Sequence, residues 1–258
     1  MKPFLEKIAD HIVVKYINNL ENIIIVLPTK RSIVFLKKFI ANKIDKPVFL
    51  PQFYTIEQFI ESLSDLKVID NISLQFYLYK SYLKFSEKPQ SLSDFLSWSS
   101  ILLRDFNDVD TNLVNPKQLF NNIRNVKELE NWEINDWSLS ENELSEFQKK
   151  YVDFFESMYE IYLDFTSCLI NDSFAFQGIA NKYAAKNISN INLEYDKVLF
   201  IGLNALNESE HKIIDFLREK DIARVFWDAD EFYYNNEDHA ASYFLKKQQK
   251  KWREISFK

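Results

Sequence analysis

The chain has 258 residues, 47% of them hydrophobic and 27% charged, the balance of a globular protein with one large domain or two small ones. With 32 basic against 38 acidic residues the formal net charge is −6, so overall charge makes no case for nucleic-acid binding, although a local basic strip stays open. Only two glycines are present, Gly178 and Gly202, where average usage would give about 18; loops that cradle phosphate need glycine, so a nucleotide-binding loop is all but excluded.

Other classes fall away quickly. Cys168 is the only cysteine, which removes a disulfide framework and any Cys-based zinc site. No run of 18 apolar residues exists, so no membrane partner is expected. The start, Met1 to Lys7, lacks the apolar region of a signal peptide, which makes the cytoplasm the expected compartment.

In chain order, Phe4, Ile8, Ile12 and Tyr16 recur every four residues and predict a helix over residues 3 to 17. Asn22 to Thr29 reads NIIIVLPT, a strand buried on both faces and stopped by Pro28. Ile33, Phe35, Leu36, Phe39 and Ile40 predict a helix ending near Lys43. Val48 to Leu50 is expected as a short second strand, followed by a Thr55-x-x-Gln58 capping box that opens a third helix.

From residue 65 to 196 no β-branched run appears, and apolar residues recur at helical spacing. Leu92, Phe95, Leu96, Ser99, Leu102, Leu103 and Phe106 share one face of a helix started by Ser91 or Ser93. Ser140 and Glu143 form a second capping box, before a long helix seamed by Tyr151, Phe155, Met158, Tyr162, Phe165 and Leu169. The α/β pattern then resumes. Lys197 to Gly202 predicts a buried strand, Asn207 and Glu210 cap a helix carrying Ile213, Ile214 and Leu217, and Ala223 to Trp227 is a third strand. A final helix is expected from about Glu237 to Trp252. One parallel sheet split around a helical insertion is the simplest arrangement.

Strand–helix units at both ends suggest a RecA-like core, yet G-x-x-x-x-G-K-[ST] is absent and Pro28 to Arg31 contains no glycine. A metal-holding acid is missing after the strand at 197–202, where Gly202, Leu203 and Asn204 stand. Asp105 to Asp110 (DFNDVD) fails the calcium-loop pattern and reads as a helix end with solvated acids. Asp228, Asp230 and Glu231 lie at a strand end, where α/β proteins keep their sites, but without a nucleophile; capping is the simpler reading and an unrecognised hydrolase the remote one. His11, His211 and His239 share no ligand spacing, and Cys168 is expected as an inert thiol in an apolar seam. Asp65-Leu66-Lys67 offers the last part of a P-D…(D/E)-x-K nuclease site, but no proline precedes an aspartate anywhere in the chain. Two basic strips remain. Lys30, Arg31, Lys37 and Lys38 follow the first strand, and Lys246, Lys247, Lys250, Lys251 and Arg253 surround Trp252.

Several segments together resemble a known family. Val26 to Ser32 (VLPTKRS) is similar to the strand end of the inactivated helicase domain in AddB/RexB-like proteins of Bacteroidetes. Phe49 to Phe59 (FLPQFYTIEQF), Phe95 to Trp98, Leu103 to Asp110, Gln118 to Phe120, Phe200 to Glu210 and Phe226 to Asp230 resemble later segments of that family in the same order. The resemblance implies a superfamily-1 helicase-like region: a RecA-like (P-loop NTPase-like) parallel sheet formed by residues 1–64 and 197–258, with a large all-helical insertion over 65–196. It also implies the front part of a longer PD-(D/E)XK nuclease protein, related to the second subunit of complexes that resect DNA double-strand breaks. Ile201 stands where related AddB proteins carry aspartate, so no catalytic residue, metal ligand or cofactor is carried over. What is carried over is a strand end that faces single-stranded DNA in active helicases, here Thr29, Lys30 and Arg31. The implied partners are DNA, single-stranded or at break ends, and a helicase subunit of AddA type. A protein-interaction module without DNA contact is the alternative.

Overall fold

The structure is a computed structural model that describes residues 2–86, 88–120, 122, 146–191, 193–236 and 240–252. In chain order its first elements are α1 (Phe4–Tyr16), β1 (Ile23–Leu27), α2 (Lys30–Ala41), β2 (Gln52–Thr55), α3 (Ile56–Ser64), β3 (Lys67–Val68), α4 (Asn71–Phe85) and α5 (Leu92–Thr111). There follow α6 (Glu146–Asn171), β4 (Phe174–Ala175), α7 (Gln177–Asn187), β5 (Lys197–Ile201), α8 (Glu208–Glu219), β6 (Ala223–Phe226), α9 (Glu231–Asn235) and α10 (Tyr243–Trp252). The chain forms two compact units, Met1–Leu63 with Ala184–Lys258, and Ser64–Tyr183. No described helix is long and apolar enough to cross a membrane.

The first unit is an α/β layer structure around a four-stranded parallel sheet of order β2-β1-β5-β6. Every residue of β1 is buried, as a central parallel strand requires, and its alternate side chains serve opposite faces. Ile23, Ile25 and Leu27 pack with Ile8 and Ile12 of α1, Leu36 and Ile40 of α2, and Leu199 and Ile201 of β5. On the other face Phe200 meets Phe59 of α3 edge-on, at 5.6 Å between ring centres. Register follows the hydrophobic runs: Ile24 sits opposite both Gln52 and Val198, and Phe200 opposite Val225.

Local chemistry sets the boundaries. Pro28 has no N–H to pair and ends β1. Thr29 then caps α2, its hydroxyl accepting from the Ser32 amide at 3.2 Å while the Thr29 amide donates to Ser32 Oγ at 3.3 Å. The expected box at Thr55 is present, with the Thr55 amide donating to Gln58 Oε1 at 3.1 Å and the Gln58 amide to Thr55 Oγ1 at 3.3 Å. The second strand, however, is not Val48–Leu50 but Gln52–Thr55. Phe49 is 80% exposed and Leu50 is exposed too, so only Val48 packs against the core, and pairing with β1 begins only after Pro51.

The second unit packs α4, α5, α6 and the start of α7 around an aromatic-rich core that includes Tyr82, Phe95, Phe106, Tyr162, Phe165 and Phe176. Phe95 lies 4.9 Å from both Tyr82 and Trp98. As expected, Ser91 caps α5, and Met158, Tyr162, Phe165 and Leu169 form the buried seam of α6. Ser140 and Glu143 lie outside the described residues, as do the side chains of Tyr151 and Phe155. The region is not all-helical. Lys67 and Val68 pair in parallel with Phe174 and Ala175, two strands too short to leave a pattern in the sequence.

The last helix is also shorter than its periodicity implies. It begins at Tyr243 after a single 3₁₀ turn, Ala240–Ser242, while Glu237 to His239 lie outside the described residues. Before it stands α9, five residues long and too short for a hydrophobic period to mark.

Candidate nucleic-acid interface

In a parallel sheet, the place where neighbouring strands send their chains in opposite directions leaves a crevice at the carboxyl edge. Here that place lies between β1 and β5. From β1 the chain crosses through α2 to β2, and from β5 it crosses through α8 to β6 on the other side. Right-handed crossovers in opposite directions put α2 and α8 on opposite faces. Their N-termini therefore flank the crevice.

On the β1 side only Pro28 and Thr29 separate strand from helix. A phosphate-wrapping loop of the P-loop kind takes about eight positions, several of them glycine. Thr29, Lys30 and Arg31 are all exposed. The Thr29 hydroxyl is committed to the helix cap, which leaves Lys30 and Arg31 as the groups that can meet a ligand. The Arg31 guanidinium rests 5.7 Å from the Phe35 ring, and Arg31, Phe35 and Lys38 line one exposed stripe of α2 at i, i+4, i+7. Lys37 turns toward Phe53, 4.8 Å from its ring.

The first turn of α2 holds no acid. Helix dipoles favour carboxylates at that end and disfavour cations by a few tenths of a kcal/mol each. α8 follows the stabilising pattern, with Glu208 and Glu210 in its first turn and Asn207 as cap. Lys30 and Arg31 work against their helix. That arrangement suits an anion from outside.

The β5 side carries no reactive group. Gly202 adopts φ +66°, the left-handed region, and a Cβ there would stand 3.3 Å from the Phe4 ring. The Asn207 amide donates to Glu210 Oε2 at 3.0 Å, and burial, with help from Glu57, pushes the Glu210 carboxyl up. At the end of β6, Asp230 caps α9 by accepting from the Phe232 and Tyr233 amides at 2.9 and 3.4 Å. Burial raises the Asp228 carboxyl, against a lowering influence from Lys7. Among the described residues no three His, Cys, Asp or Glu side chains converge on a metal position.

The other sequence candidates have structural surroundings. His211 is buried, its Nε2 2.8 Å from the Gln248 amide nitrogen and its ring 5.5 Å from Trp252; burial lowers its pKa. His11 lies edge-on to Phe226 at 5.2 Å, and His239 lies outside the described residues. Cys168 is not in an apolar seam. It is half-buried, with its sulfur 3.8 Å from Asp164 Oδ2 and 4.0 Å from Lys84 Nζ. Asp65 takes φ 55° in the turn before β3, which is the place of Lys67. On α10, Lys251 pairs with Asp215 at 2.6 Å, Trp252 Nε1 donates to the same carboxylate, and Arg253 lies outside the described residues.

One expectation is reversed. The acids of Asp105 to Asp110 are not all solvated: Asp110 is fully buried. Its Oδ1 accepts from Lys182 Nζ at 2.6 Å and from the Tyr162 hydroxyl at 2.5 Å, and Lys182 Nζ also donates to that hydroxyl at 2.7 Å. Burial and the Asp110 charge push the Tyr162 phenol well above its ordinary range. In the same segment Asn107 Oδ1 accepts from the Gly178 amide at 2.8 Å. Positions 103, 106 and 110 fall on one helix face at i, i+3, i+7, which places Asp110 on the buried side but does not name the groups that satisfy its charge.

No protein-family model matches the chain, and no curated protein matches it significantly. Fold and site together define an α/β protein with a parallel four-stranded sheet, a helical region between its strands, and a cationic helix start at the sheet's carboxyl edge.

Proposed function

We propose that this chain is a non-catalytic, RecA-like scaffold from an AddB-type helicase–nuclease protein of double-strand-break repair, and that it guides a single DNA strand past the start of α2. The observation that carries the reading is the placement of Lys30 and Arg31 in a helix turn they destabilise, beside the switch point of the sheet. Exposed amides at a helix start and two cations suit a phosphate. The two-residue connection after β1 and the missing acid after β5 favour a scaffold over an ATP-hydrolysing motor. Its place would be beside an AddA-type helicase subunit, with the nuclease chemistry supplied elsewhere in the parent protein.

The reading is tested by fluorescence anisotropy of a labelled single-stranded oligonucleotide, comparing the intact chain with Lys30→Ala/Arg31→Ala across a salt series. Two lost phosphate contacts lower the slope of log K against log salt by about 1.4 and weaken binding at every salt. Equal affinity and slope in the double variant would remove the assignment. A protein-docking module is favoured instead by α4, whose Ile72, Phe76 and Leu83 are exposed on one helical face. Absence of binding at low salt would select that reading.

A further inference from the structure

Away from α2, a second surface of the sheet unit combines the two features that single-stranded nucleic acid requires. α10 has the sequence YFLKKQQKKW, with four lysines and no acid in a chain of net charge −6. Leu245, Gln248 and Trp252 form its buried face. Its outer face begins with Tyr243 and Phe244, which are 62% and 40% exposed, and continues with exposed Lys247 and Lys250. The two rings meet edge to face at 5.3 Å, which leaves ring surface open to solvent. α9 is stitched to this start: the Ser242 hydroxyl donates to the Tyr233 carbonyl at 3.0 Å and Lys246 Nζ to the Asn236 carbonyl at 3.3 Å. Phe232, at 70% exposure, adds a third ring.

The geometry points to a single-stranded nucleic-acid contact on α10, in which Tyr243 and Phe244 stack unpaired bases and Lys247 and Lys250 meet the phosphates that follow. Solvent-facing aromatic rings gain nothing from a duplex, whose bases are already stacked; they gain from bases with free faces. The stretch from Tyr243 to Lys250 covers about 10 Å of helix, room for about three nucleotides at the ~3.4 Å spacing of one stacked strand. Lys251 is neutralised by Asp215, and Lys246 is turned inward to Asn236, so Lys247 and Lys250 are the cations that face outward. Asp230 is occupied in capping α9, and exposed Glu231 beside Phe232 sets the phosphate path along α10 instead of α9. The site goes beyond the α2 contact and does not depend on it.

The test uses anisotropy with labelled oligo-dT and with a labelled duplex of equal length, at low salt and across a salt series. Proteins compared are the intact chain, Tyr243→Ala/Phe244→Ala, Lys247→Glu/Lys250→Glu, and Lys30→Ala/Arg31→Ala. All substituted side chains are on the surface, and circular dichroism checks that the fold is kept. Loss of the rings is expected to weaken oligo-dT binding at least tenfold and to leave duplex binding unchanged. Reversing the two lysines should also weaken it at least tenfold and flatten the salt slope. Unchanged oligo-dT affinity in both α10 variants overturns the proposal, even if Lys30→Ala/Arg31→Ala binds poorly. Loss in the α10 variants with none in Lys30→Ala/Arg31→Ala supports it and removes the α2 reading instead. Equal loss of duplex and oligo-dT binding on removal of the rings, or no binding by the intact chain, also overturns it.

Discussion

In the sheet unit, the central strands β1 and β5 bury aliphatic and aromatic side chains, and the ion pairs stay near the surface, as between Lys43 and Asp10 or Lys251 and Asp215. The helical unit keeps a surface pair of the same kind, Lys84 with Asp164, and adds a buried one. It places a fully buried carboxylate, Asp110, against Tyr162, whose ring stacks edge-on with Phe106 at 5.1 Å. A parallel sheet fixes its own partners through backbone ladders, so its central strands can be apolar, and the buried polar pair of that unit, His211 with Gln248, lies between helices. Helices packed by aromatic faces can slide, and a buried hydrogen-bonded charge fixes one arrangement. The comparison locates specificity in backbone pairing for one unit and in a polar cluster for the other.

The largest expected effect breaks that cluster. Lys182→Met removes the cation and leaves Asp110 buried beside a phenol alone, at a cost of about 3–5 kcal/mol. Hydrogen exchange should show faster opening in peptides from residues 64–183 and little change in β1 and β5. Equal loss in both units, or none, would refute the contrast. A smaller effect comes from Gly178→Ala. A Cβ at that position would stand 2.6 Å from the Asn107 carbonyl oxygen, which is backbone and cannot swing away. The substitution should cost about 1–3 kcal/mol and loosen α7 from α5, read as a lower midpoint in urea.

The parts of this comparison differed in how well the sequence announced them. β1 and β5 could be read directly, because runs of five and four consecutive buried residues bracketed by turn signals have few alternatives. The boxes at Thr55 and Asn207 were equally plain, since their chemistry is local. Helical spacing with Leu103 and Phe106 put Asp110 on the buried face, but a carboxylate there was not legible as a core group, because its partners Tyr162 and Lys182 lie 52 and 72 positions away. Val48 to Leu50 misled for a related reason: strand propensity was present, but pairing with β1 was fixed by Gln52 to Thr55. At the candidate interface, Lys30 and Arg31 were visible as residues. Only the sheet order showed that they stand at a switch point, and only the buried faces of α10 showed which of its side chains look outward.

The smallest effect sharpens the comparison through pH. All three histidines fall in the sequence of the sheet unit, and residues 64–183 contain none. His11 and His211 are both held below the ordinary imidazole value, by burial first and by nearby lysines after it. Such a group binds its proton more weakly in the folded than in the unfolded chain. Its contribution to stability is therefore complete above about pH 6.5 and declines as pH falls through that value toward the depressed one. Glu210 and Asp228 act in the opposite sense, because burial raises them and the folded chain takes up their protons first as pH falls. Between about pH 7.5 and 6, hydrogen-exchange protection should decline in β1 and β5 and hold steady in residues 64–183. His211→Gln should reduce the decline while leaving protection near pH 7.5 within a few-fold of the parent. An equal decline in the helical unit would show that something other than imidazole titration governs the window.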